Sequence, residues 1–293
     1  MKLISKILPK YTEKEISEFQ SIDSFMDAYV EFLKNSIECL WYLVHLKYCD
    51  EEGIPVEISK DDAVIGGNLI RLIKLNTSFL QNVCENKSEI CLIINRCIAE
   101  TAINLKYLLI ESEERVKRNY IKYSLITEKE LWGIIKENAS LRNEDLLNIE
   151  KRMQKSIMNS FDDSDFELED VNKSSNWKSI KSRANIVAGE MFYNVYYGIS
   201  SHSIHGNWQD ILSNNLTKSG ENFKLNLDWQ KSKPQMMDLA IFLNLDILEV
   251  FIEKEIKAGL EKNILIENCK VLSEYGKILY DKSEEYLKNK NGL

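Results

Sequence analysis

This chain of 293 residues predicts a mostly α fold, a multi-helix bundle with long antiparallel helices, on three observations. Punctuation is scarce: 3 prolines and 11 glycines leave few places where a helix must stop. Apolar residues recur at steps of three and four along most of the chain, which is the helical period. A hydrophobic share of 44% can fill a substantial core, and 29% charged residues is not a disordered composition. Together these features predict one helical domain over 1–293 with its core at about 60–260.

The elements follow in order. Thr12 caps a first helix, and Glu15 three residues on completes a capping box. This helix is expected to run on through "FMDAYVEFLKNSIECLWYLVHLKY" towards Cys49. "CDEEGIPVE" is a turn, and Asp61 or Asp62 starts a second helix through "NLIRLIKLNTSFLQNV". Gly66 and Gly67 within it mark close packing or a weak point. A third helix, expected to be the longest, begins near Asn86 and spans "SEICLIINRCIAETAINLKYLLIESEERVKRNYIKY". "EKELWGIIKEN" and "NEDLLNIEKRMQKSIMNSF" are shorter helices. The segment 161–176 holds six acidic residues between Phe161 and Asp170 and no helical apolar stripe, so a solvated loop or lid is expected there. Helices follow around 178–205, 235–258 and 264–289. "NFKLNLDW", at 222–229, alternates and reads as a minor extended segment.

Charge narrows the function classes. A net charge of −8 and a pI of about 5.2 argue against a protein that coats nucleic acid, but leave room for a local basic pocket. The seven arginines are scattered. The most apolar stretch, "MMDLAIFLNLDILEVFIEK", is interrupted by Asp238, Asn244 and Asp246, so it reads as a core helix and not a membrane span. The start, "MKLISKILPKY", is too short for a secretory signal. None of the six cysteines forms CxxC, five lie in apolar or helical surroundings, and a disulfide framework is not expected in a chain this large and lysine-rich; on composition a cytoplasmic location is expected. The apolar first helix suggests a homodimer joined helix to helix.

Two polar stripes carry the candidate chemistry. In "NRCIAETAINLKYLL", Arg96, Glu100, Asn104 and Tyr107 lie at steps of four, four and three, on one face of an otherwise apolar helix. A buried arginine needs a carboxylate, and Glu100 can supply it. Such a pair often adds no net stability, so a stripe of this kind is either a structural ion pair or part of a site. The second stripe lies in a helix expected from Ala188 to His205, with Gly206 as its stop. Glu190, Tyr193, Asn194, Tyr197, Ser201 and His205 share one face there, and His202 points about 100° away. The alternative reading is a hydrogen-bonded core histidine. A zinc site at His202 and His205 lacks two of the four ligands that structural zinc requires. No GxSxG, P-loop or GxGxxG motif is present, so metal and cofactor are both expected to be none.

These two stretches, "NRCIAETAINLKYLL" and "YYGISSHSIHGN", resemble domain-of-unknown-function family fifty-six seventy-seven, an uncharacterised bacterial family. That family pairs Arg and Glu four apart in an apolar helix, followed by Tyr, with Tyr, Ser and His at four-residue steps in a later helix. The likeness covers about 65–215. Its helical build is similar to that of HEPN proteins, often metal-independent ribonucleases of toxin and antiphage systems. HEPN proteins carry Arg and His on one helix; here they lie on two. The resemblance implies a HEPN-like core with Arg96, Glu100, Tyr197, Ser201 and His205 as catalytic residues. Asn104, Tyr107, Asn194 and His202 would bind the substrate, an RNA. A protein partner belongs to the other reading, a non-catalytic helical binding protein whose stripes are structural.

Overall fold

The structure is a computed structural model that describes residues 6–172, 176–194 and 204–291. The described helices are α1 (Glu13–Ser17), α2 (Ile22–Tyr48), α3 (Lys60–Cys84), α4 (Ser88–Ile110), α5 (Glu114–Arg142), α6 (Asn148–Ser164), α7 (Ile180–Val187), α8 (Glu190–Phe192), α9 (Trp208–Asn214), α10 (Asp238–Glu255) and α11 (Leu260–Asn291). Short 3-10 turns lie at Leu168–Asp170 and Pro234–Met236. The described strands, β1 (Leu216–Ser219) and β2 (Asn222–Leu225), form an antiparallel hairpin that pairs Leu216 with Leu225. The mostly α class predicted from the sequence is observed; β2 falls at the start of the expected extended range, and its partner β1 lies before that range.

Helix ends follow local chemistry. The Thr12 capping box is present: Glu15 N donates to Thr12 Oγ1 at 3.3 Å, and Thr12 N donates to Glu15 Oε2 at 2.7 Å. The helix it opens does not run on to Cys49. It stops at Ser17, and Ser21 caps α2 anew by accepting from Ser24 N. Phe19 fills the break, edge-on to Tyr11 and to Phe25 with centroids 5.2 Å apart in each pair. The expected longest helix is also two. α4 ends at Ile110 and α5 starts at Glu114, because "ESEE" (111–114) offers a serine and three carboxylates better suited to a new N-terminus than to a helix interior. Asn143 and Asp165, both in the left-handed region with φ of 53° and 55°, close α5 and α6.

The chain divides into two compact units, 1–110 with 183–293, and 111–182. In the first, α2, α3, α4, α10 and α11 surround the main core, and α10 packs on α2, α4 and α11. Gly66 lets α3 close on α2, since a Cβ there would sit 3.1 Å from the Tyr48 ring. Inside this core three polar side chains are fully buried and mutually satisfied. Asn76 and Asn244 exchange amide hydrogen bonds of 2.9 and 3.1 Å, and Asn244 also donates to Ser36 Oγ at 3.0 Å. The triad ties α2, α3 and α10 at one level; buried polar groups are tolerated only when paired in this way.

The second unit is α5 folded on α6 over Leu125, Ile135, Ile157, Phe161, Phe166 and Val171. The acidic segment expected at 161–176 as a loop therefore begins inside a helix, and α6 continues to Ser164. Its carboxylates face solvent, while Phe161, Phe166 and Val171 are buried and Leu168 is partly so. Lys129 fastens the segment by donating to the carbonyls of Leu168 (2.6 Å) and Val171 (2.8 Å).

Candidate functional site

α4 builds one side of the site. Its flanks are apolar and buried, with Ile98, Ala99, Ala102, Ile103 and Leu105 at 1% exposure or less. That burial fixes the helix against α3 and α10 and leaves Arg96, Glu100 and Asn104 half-buried along one face, with Tyr107 buried below them. Burial lowers the Arg96 pKa. The charge of Glu100, one turn on, and next the Tyr193 hydroxyl act on it in the opposite direction. Tyr193 belongs to the second polar stripe, so the arginine of the first stripe feels a member of the second across 97 residues of chain.

Other contacts hold α4 in place. Asn95 is buried and its amide donates to the Met236 carbonyl at 2.9 Å. Glu89 accepts from Gln230 N at 3.2 Å. Arg71 of α3 donates to Thr101 Oγ1 at 3.2 Å, and Lys106 reaches both oxygens of Asp246 on α10 at 2.7 and 2.8 Å. Arg183, 4% exposed in α7, is a buried arginine that the sequence reading passed over. No periodic stripe marks it, and only its apolar neighbours Ala184 and Val187 hint at burial.

The second stripe is placed in part. Glu190 begins α8 and Tyr193 is half-buried, whereas Asn194 is exposed. Ile204 and His205 are helical and exposed, and Gly206 follows at φ +55°, the left-handed geometry suited to a helix stop. Tyr197, Ser201 and His202 lie outside the described residues. Among the candidates, then, Arg96, Glu100 and Tyr193 are brought together electrostatically, and Asn104 and Tyr107 extend the same face of α4.

Among the described residues, no group of three or more His, Cys, Asp or Glu side chains could hold a metal ion. No described helix is long and apolar enough to cross a membrane. A protein-family model described as a family of unknown function, DUF5677, matches residues 62–223. The match runs from the first turn of α3 into β2 and spans every candidate residue. No curated protein and no solved structure matches the chain.

Proposed function

The chain belongs to DUF5677, a family of unknown function, and from that premise we propose that it is a HEPN-like, metal-independent ribonuclease, a toxin-type effector of antiphage defence acting in the cytoplasm. The observation that supports this reading is the half-buried Arg96, held in an apolar helix beside Glu100 and within electrostatic reach of Tyr193. A cation kept at the cost of desolvation has to be balanced by a structural or a chemical role. Here the chemical role is to carry the negative charge that develops on a phosphorane.

In the proposed reaction His205 accepts the proton of a ribose 2′-OH, and the 2′-oxygen attacks the adjacent phosphorus. The bond from phosphorus to the 5′-oxygen breaks, that oxygen leaves as an alcohol after taking a proton from water, and the protonated His205 returns its proton to the hydroxide left behind. The products are a 2′,3′-cyclic phosphate and a 5′-hydroxyl end. Tyr197 and Ser201 hold His205 or the phosphate, while Asn104, Tyr107, Asn194 and His202 contact the RNA. RNA cleavage assayed in EDTA tests the reading. His205→Ala is expected to lower the rate by about 10²-fold or more, and His202→Ala, which removes a substrate contact and not the base, to lower it far less. Arg96→Lys keeps the charge, loses the bidentate geometry and should reduce the rate. Cleavage that needs a metal, or that survives His205→Ala, overturns the mechanism.

A second reading, a non-catalytic binding protein, has one observation in its favour. Trp208, Phe223, Leu225, Leu227 and Trp229 are all exposed within 22 residues of chain. Exposed apolar groups of this density mark protein contact surfaces.

A further inference from the structure

α10 and α11 leave a groove of about 450 Å³ between them, apart from the face of α4 described above. It follows α10 from Asp238 to Glu249, a length of about 16 Å at the helical rise. Phe32 of α2 and Ile241, each 3% exposed, form its apolar floor together with Leu245. On α11 the wall is bare at Gly276, where a Cβ would lie 2.8 Å from Phe32 Cζ. Two aromatic rings at its edges are open to solvent, Phe242 on α10 (55%) and Tyr280 on α11 (50%).

Charge runs along the groove. Asp238 stands at one end, and Asp246 and Glu249 towards the other. Lys106 already holds Asp246, and Lys277 on the opposite wall supplies the other lysine. Beyond the wall, Glu284 of α11 adds its negative charge to that of Asp238. Negative charge is therefore in excess over an apolar floor, with aromatic faces at the edges. Ammonium groups are recognised by carboxylates and aromatic faces together, and a narrow apolar floor between them suits methylene links.

We propose that this groove binds a linear aliphatic polyamine, with one ammonium at Asp238, another at Glu249, and its methylenes over Phe32, Ile241 and Leu245. The site owes nothing to the ribonuclease reading, and its test is separate. Spermine is titrated into the full chain by calorimetry at neutral pH and low salt, with magnesium chloride as the ionic control. One saturable site per chain is expected. Glu249→Gln, an exposed position that should not disturb folding, is expected to weaken it about tenfold. Ser273→Phe, which fills the groove from α11, should abolish it. Glu253→Gln, on α10 but outside the groove, should leave it unchanged. The proposal is overturned by no saturable binding up to about 5 mM or by full affinity in Glu249→Gln. It is equally overturned if Glu253→Gln weakens binding as much as Glu249→Gln, or if magnesium binds as well as spermine, since either would mean diffuse attraction to an acidic surface.

Discussion

Asp238 occupies the first position of α10, where the helix dipole and a hydrogen bond from Tyr29 both favour a carboxylate. Burial outweighs them, with help from the charge of Glu284, and raises its pKa from 3.8 to about 6. A group whose folded pKa is raised binds a proton more tightly when folded. Its stabilising contribution is thus complete below about pH 4 and is lost as pH rises through 6, a difference of at most about 3 kcal/mol. Asp238→Asn keeps the shape without the titration. Urea unfolding from pH 4 to 7 should show the wild type losing stability relative to Asp238→Asn; parallel curves would refute the assignment. Residues of this kind were hard to read from the sequence, because burial is a sum over three helices. Arg96, Glu100, Asn104 and Tyr107 were legible as a stripe, since local spacing alone puts them on one face of α4. The neighbour of Arg96 from the other stripe, Tyr193, was not, because nothing in local spacing records a contact between segments 97 residues apart.

At the scale of elements, two glycines in helices make opposite predictions. Gly133 is exposed within α5, and an added Cβ meets nothing within 4 Å. Gly133→Ala should therefore stabilise by about 0.5–1 kcal/mol through helix propensity alone. Gly276 in α11 faces Phe32, whose ring is buried and locked edge-on against Tyr275 at 5.3 Å. Gly276→Ala gains the same propensity but forces that ring or the helix to move, for a loss of about 1–3 kcal/mol. Thermal melts of the two variants should move in opposite directions, and a stabilised Gly276→Ala would contradict the packing described. Elements were most legible where a cap announced them, as at Thr12, or where a glycine stopped them, as at Gly206. The breaks at 18–21 and 111–113 were missed because apolar spacing continues across them, and only the capping residue Ser21 and the carboxylate run 111–114 mark the interruption. The acidic segment was legible from 165 to 172, where exposed carboxylates flank a single 3-10 turn, but not in its helical start or its buried side. Phe161, Phe166 and Val171 are spaced by five residues, a period of neither helix nor strand, so their common burial left no stripe.

The two units differ in how much each buries. α2 alone buries twelve residues, so its apolar face, which suggested a homodimer, is consumed inside the chain's own core. α5 buries two of its 29 residues and α6 three of its 17. A unit of this size has little apolar area to offset its chain entropy. Amide hydrogen exchange should therefore proceed fastest, among the long helices, in α5 and α6, and slowest in α3, α4 and α10. Equal protection across both units would show that they unfold together. Because 111–182 lies inside the sequence of the larger unit, it also has a consequence for synthesis. On a ribosome, α5 and α6 emerge as a contiguous pair whose shared core needs nothing made later than Val171. Ser36 and Asn76 must wait for Asn244, and at cellular elongation rates that wait is about ten seconds or more. For that interval the apolar surface that α10 covers on α2 and α4 stays exposed, the condition under which a partly made chain is prone to aggregate.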